Sequence, residues 1–142
     1  MMMATKVFLD ANVLIDVVQN RADFVESSSK VLQMGLDGDC ELWASDITMV
    51  TVSFYAKKNR TTEQLYEVMK ELRSMIHVAS TGASAIDWAL QQGFHDFEDA
   101  VQYYAASHCG TTHIITRNER DYPYSEIPVV PPLEFLRLNN AE

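Results

Sequence analysis

The stretch Lys6-Val7-Phe8-Leu9-Asp10-Ala11-Asn12-Val13-Leu14-Ile15-Asp16 decides the fold. Residues 7–9 form a short apolar run of buried-strand type, and residues 12–18 read as the start of a helix. A carboxylate, Asp10, therefore falls at the carboxyl end of the first strand, the place where open α/β sheets bind ligands. Two more polar clusters lie far along the chain. One is Asp96-Phe97-Glu98-Asp99-Ala100. The other, Thr116-Arg117-Asn118-Glu119-Arg120-Asp121, follows the apolar run His113-Ile114-Ile115. Carboxylates gathered from distant segments are how a protein holds a hard divalent cation such as Mg²⁺.

Working outward, further strands are expected at residues 41–44, 76–79, 113–115 and 127–130. Helices are expected at 23–37, from a cap at Ser45 or Asp46 to Lys58, from Thr61 or Thr62 onward, and at 84–91, 97–108 and 133–138. Leu65, Val68, Met69 and Leu72 place an apolar stripe on the fourth of these seven helices. Strands alternate with helices almost throughout. That pattern predicts an α/β fold, a three-layer α/β/α sandwich with a central parallel sheet of about five strands, in a single domain over 1–142.

The net charge of −9 argues against a protein that grips many duplex phosphates. It is compatible with a nuclease, because bound cations neutralise a carboxylate site locally, and it favours a basic protein partner. No apolar run reaches membrane-spanning length, and the Met1-Met2-Met3 start lacks the pattern of a secretory signal. The expectation is a cytoplasmic protein with Cys40 and Cys109 as reduced thiols. His77, His95, His108 and His113 show no zinc-site spacing. There is no Gly-rich phosphate loop and no G-x-S-x-G nucleophile elbow.

Each cluster has a functional and a structural reading. Asp10 can be a metal ligand at a strand tip with Asn12 and Asp16 in support; alternatively Asn12 caps the helix and Asp16 is solvated. On a helix, Asp96 and Asp99 stand about 60° apart, on one face, whereas Glu98 points roughly 100° or more away from both. Asp96 and Asp99 are then placed to share a cation, with Glu98 in solvent; alternatively the acids simply favour the positive end of the helix. Asp99 is the sharper candidate, set beside Ala100, Val101 and Tyr104. Thr116, Asn118 and Asp121 lie past a strand end, where Arg117 and Arg120 meet phosphates or water. His95, beside Asp96, contacts substrate or solvent. Phe94, Phe97, Tyr103 and Tyr104 are expected in the core and at interfaces. The run Lys57-Lys58-Asn59-Arg60 either touches RNA or sits at a helix end that favours cations.

Taken together, these segments resemble the PIN domain, the metal-dependent ribonuclease fold of VapC-type toxins. Residues 8–16 look like that family's first motif, with Asp10 at its first metal-binding aspartate and Asn12 at its supporting polar residue. Asp99-Ala100 looks like its later acidic motif. Thr116-Arg117-Asn118 with Asp121-Tyr122 looks like its last, with Asn118 where Asp is frequent. The similarity runs from Lys6 to Leu138. It implies an Mg²⁺- or Mn²⁺-dependent endoribonuclease in which Asp10 and Asp99 hold the cation and Asp96 and Asp121 add negative charge. Thr116 and Asn118 then orient the cation, a water or the scissile phosphate. The resemblance further implies an RNA substrate, a small antitoxin partner and a homodimer. The family commonly carries a Glu in the helix after its second strand, and that position is Thr51 here. A threonine cannot supply a charged ligand, so either the site works with fewer carboxylates, Asp96 compensates, or activity is weak or absent. The alternative is a PIN-like module that binds RNA or protein without cutting. A receiver-type phosphotransfer domain is disfavoured, because no Lys follows the last strand.

Overall fold

The computed structural model describes residues 5–123 and 125–140; the Met1-Met2-Met3 start lies outside them. The chain runs β1 (Thr5–Leu9), α1 (Ala11–Val18), α2 (Val25–Leu36), β2 (Cys40–Ser45), α3 (Asp46–Ala56), α4 (Thr62–Met75) and β3 (Ile76–Ala79). It continues through α5 (Gly82–Gln92), α6 (Phe97–His108), β4 (His113–Ile115), a 3₁₀ turn (Glu119–Asp121), β5 (Val129–Val130) and α7 (Pro132–Asn140).

The five strands form one parallel sheet in the order β3-β2-β1-β4-β5. The chain builds outward from β1 through β2 to β3, then returns to place β4 on the other side of β1. The switch point of the sheet therefore lies between β1 and β4, where the loops leaving the two strand tips diverge and open a crevice. Asp10 leaves the first of these tips and Thr116 the second.

Alternation along β1 distributes the core. Val7 and Leu9 face a cluster built with α1, α2, α3, α4 and α7, including Leu14, Val31, Val52, Leu72 and Phe135. Phe8 faces the other side, with Ala105 and Ala106 of α6, Ile114 and Tyr122. A third cluster joins α5 to α6 through Ala85, Ala89, Ala100 and Val101, and Trp88, Phe94 and Tyr104 pack on it. The aromatics of this segment are thus largely core, although Phe97 stays exposed.

The elements stand where the pattern puts them, with three informative shifts. β5 is shorter than 127–130: Pro128 has no N–H to donate, and its carbonyl accepts from Ile114 N at 3.0 Å or less (2.9 Å), so paired residues begin at Val129. α2 begins at Val25, not residue 23, because Phe24 and Val25 both donate to the Arg21 carbonyl and close a turn first. α3 stops at Ala56, where Arg60 reaches back to the Ala56 and Val18 carbonyls and closes the ends of two helices. Ser45 caps α3, and Thr61 with Gln64 forms a capping box on α4. Both cysteines are free thiols, and burial raises Cys40 to about 11.

Phe8 is fully buried in the middle of the central strand. Phe8→Ala is expected to cost about 3–5 kcal/mol of folding stability in denaturant titration. A loss below about 1 kcal/mol would contradict the packing described.

Candidate active site

Asp10 N–H donates to the Ile115 carbonyl at 3.0 Å, the last rung between β1 and β4. The side chain then becomes the N-cap of α1, its Oδ1 accepting from Ala11 N at 2.7 Å. Its Oδ2 accepts from Thr116 Oγ1 at 2.9 Å. Each carboxylate oxygen has two lone pairs, so one on each remains for another donor or a cation. Asp10 is only 7 % exposed. Burial raises its carboxyl above the ordinary value, and the Asp121 charge adds to this; the bonds from Thr116 and Ala11 act in the opposite direction.

Thr116 is wholly buried. Its hydroxyl gives its one proton to Asp10 and accepts from Asn12 Nδ2 at 3.0 Å and Asn118 N at 3.1 Å. One donor and two acceptor positions are then filled. Nothing remains for a cation, a water or a phosphate, so the direct contact expected of Thr116 does not fit the geometry; it orients Asp10 instead. Asn12 completes the link, since its Oδ1 accepts from Arg117 N at 3.2 Å. Asn118 lies past this turn with its side chain exposed.

α6 delivers the second group of acids. Asp96 caps this helix, accepting from Asp99 N at 3.1 Å. Burial, then the charges of Asp121, Asp96, Asp10 and Glu98, push the Asp99 carboxyl up to about 8. Asp121, on the 3₁₀ turn, is raised by burial and by Asp96. Glu98 is exposed, in keeping with its solvated reading, although burial and the charges of Asp10 and Asp96 raise its carboxyl. Asp96 sits at the cap with extended backbone, outside the helical spiral that carries Glu98 and Asp99.

Asp96, Asp99 and Asp121 line a cleft of about 410 Å³ together with Gly93, Phe94, His95, Arg120 and Pro123. Asp10 does not line it, and Arg120 is the one cation among its lining residues. The other histidines are engaged elsewhere: His77 stacks on Trp43, His108 on Tyr104, and His113 packs edge-on to Phe135.

Tyr122 was not singled out by side-chain chemistry. It is 3 % exposed and its hydroxyl has no partner in good hydrogen-bond geometry. Burial, then the neighbouring charges of Asp10, Asp99 and Asp121, raise the phenol well above its ordinary value. Asp16, read either as a support for Asp10 or as solvated, is fully buried and held by Arg117 at 2.7 Å and Arg21 at 3.4 Å, which rules out the solvated reading. Arg117 is therefore engaged in an ion pair, and of the two arginines after β4 only Arg120 faces the cleft.

Thr51 is half-buried on α3, and no α3 carboxylate joins the cluster. Asp46 is bound to Thr81 through both its oxygens. Thr48, one turn before Thr51, instead accepts from Gln102 Nε2 of α6 at 2.7 Å.

Among the described residues, no group of three or more His, Cys, Asp or Glu side chains is gathered closely enough to hold a metal ion as it stands. The donor chemistry nonetheless fits Mg²⁺ or Mn²⁺. Mg²⁺ keeps several waters and takes only one or two carboxylates from the protein. Asp10 keeps lone pairs free for a cation, and the Tyr122 hydroxyl faces it as an interacting partner.

The fold and site define an α/β domain with an acidic cleft between the start of α6 and the turn after β4, next to the strand-tip Asp10. Residues 6–120 match the PIN domain family, and the chain belongs to it. It is 25 % identical over 139 residues to Ribonuclease VapC1 of Aquifex aeolicus, spanning 94 % of this chain and 95 % of that one. The fold is similar to a toxin–antitoxin complex from Klebsiella pneumoniae, with a TM-score of 0.68, 22 % identity, and coverage of 89 % of this chain and 97 % of that one. It is also similar to VapBC2 from Rickettsia felis bound to a promoter DNA fragment, with a TM-score of 0.64, 12 % identity and the same 89 % and 97 % coverage. Among the described residues no helix is long and apolar enough to cross a membrane.

The raised carboxyls set a stability profile for the metal-free chain. Asp99 holds its proton up to about 8 when folded but loses it near 3.8 when unfolded. Its contribution is complete below pH 3.8 and is lost as pH rises through about 8. Without divalent cations, stability is expected to fall between pH 5 and about 8.5, and Asp99→Asn should flatten that fall. Parallel pH profiles for the two proteins in thermal melts would contradict the shift.

Proposed function

We propose that this chain is a divalent-metal-dependent endoribonuclease and the toxin of a toxin–antitoxin pair. The observation that carries the reading is the convergence of acids from three separate segments, the tip of β1, the start of α6 and the turn after β4, near enough that burial and then their mutual charge raise the Asp99 carboxyl to about 8. The likeness to Ribonuclease VapC1 and to toxin–antitoxin structures supports it.

In this reading Asp10 and Asp99 hold Mg²⁺ or Mn²⁺. Bound there, the ion would supply positive charge that lowers the pKa of a water and offsets charge on the leaving oxygen of the phosphodiester. Asp96, Asp121 and Glu98 supply further negative charge, with Glu98 making up for the acid absent at Thr51. Asn118 and Arg120, both exposed past β4, face the RNA backbone, the guanidinium being well shaped for phosphate. Thr116 and Asn12 hold Asp10 in place.

The partner is a small antitoxin whose basic character complements the −9 charge of this chain. A homodimer is supported by exposed apolar pairs one helical turn apart, Val50 and Phe54 on α3 and Ile86 and Leu90 on α5. The protein acts in the cytoplasm, where a VapC-type toxin meets its RNA.

Half-buried Thr51 favours one rival, a PIN-like module that binds RNA or protein without cutting. Cleavage of structured and single-stranded RNAs with Mn²⁺ separates the two. Wild type should cut, and Asp10→Asn and Asp99→Asn should each lose at least about 100-fold in rate while still folding. No cleavage together with no Mn²⁺ binding by calorimetry would establish the rival.

A further inference from the structure

The nuclease reading gives Arg117 no role, yet its backbone, its guanidinium and its aromatic neighbour are all engaged. Arg117 follows Thr116 directly. Its Nε donates to Asp16 Oδ2 at 2.7 Å, and its guanidinium lies over the Phe24 ring, 4.1 Å from the centroid. Asp16 is completely buried, so its carboxylate depends on this partner for its charge. The turn between α1 and α2 closes the other side. Arg21 N donates to the Asp16 carbonyl, Arg21 Nη1 reaches Asp16 Oδ1 at 3.4 Å, and Phe24 N donates to the Arg21 carbonyl.

Asp16 and Asn12 lie four residues apart, on one face of α1. Two anchors from that face therefore grip Arg117, with Asn12 Oδ1 on its backbone N–H and Asp16 on its side chain. The next N–H, of Asn118, closes on Thr116 Oγ1, the atom that bonds Asp10.

We propose that Arg117 is a positioning residue: its ion pair with buried Asp16, covered by Phe24, holds the 116–118 turn against α1 so that the Thr116 hydroxyl stays on Asp10. An arginine after a strand tip invites a phosphate-binding role, but this guanidinium is committed inward, with its side chain 24 % exposed. Lysine is a poor substitute, because a point charge lacks both the directed Nε–H and the planar face that meets the ring. The consequence for catalysis rests on the nuclease reading; the consequence for geometry does not.

The test compares wild type, Arg117→Lys, Arg117→Ala and the double variant Asp16→Asn/Arg117→Gln, which leaves no unpaired buried charge if the single variants fail to fold. Amide hydrogen exchange of Arg117 and Asn118, measured without metal or RNA, reads the two backbone bonds directly. Exchange at both should quicken by at least about tenfold in the double variant and in Arg117→Ala, and less in Arg117→Lys, while β1 stays protected. Unchanged exchange at Arg117 and Asn118 overturns the proposal, whether or not the wild type binds Mn²⁺ or cuts RNA. A wild type inactive on RNA and blind to Mn²⁺ fails the nuclease reading alone. With an active wild type, loss of the clamp should weaken Mn²⁺ binding by about 10–100-fold and lower kcat with KM held. A higher KM at unchanged kcat and Mn²⁺ affinity would make Arg117 a phosphate contact and overturn the positioning role.

Discussion

The bond from the Thr116 hydroxyl to Asp10 ties the two central strands together at the point where the sheet reverses direction, and the site is arranged around it. A buried carboxylate is costly unless its lone pairs are satisfied. Asp10 meets part of that cost with the first amide of its own helix and part with a hydroxyl from a strand more than a hundred residues later. Both partners are neutral, so they hold the carboxylate in place without cancelling its charge. The fold thus fixes this carboxyl in place without supplying it a cationic partner.

That residue of charge is what makes the remaining acids informative. Asp99, Asp121 and Glu98 all have raised carboxyls, with burial the leading cause and neighbouring acids the next. A cluster of this kind opposes folding at neutral pH unless protons or cations enter it. Stabilising such a cluster is the work of a counter-ion, and proton and cation compete for the same oxygens. The buried Asp16 shows the contrast. It receives two guanidinium groups, and its charge is spent on holding the turn, not on chemistry.

The sheet and its order of elements were legible because apolar runs and polar strand ends carry the information locally. Residues 6–16 and 113–121 each show a strand passing into a polar turn. The parts that were not legible depend on contacts across the chain. The two readings of Asp16 could not be separated because its partner lies at Arg117, and Thr116 looked available because its three bonding partners come from α1, β1's tip and its own turn. The cap role of Asp96 was hidden because a helical wheel does not apply to a residue that lies outside the helix. Tyr122 carries an aromatic ring that fits a core position, and its hydroxyl becomes meaningful only once Asp10, Asp99 and Asp121 surround it. No sequence signal identifies such a group; the presence of Tyr directly after Asp121 in the last motif was the nearest clue.

The central claim is that these acids form one cation site, assembled by the β1/β4 switch point. An anomalous difference map from a crystal soaked in Mn²⁺ tests it most directly. The account predicts a peak at coordination distance from carboxylate oxygens of both Asp10 and Asp99. Mn²⁺ bound elsewhere on the protein with this pair empty, or no ordered Mn²⁺ at all, would contradict it.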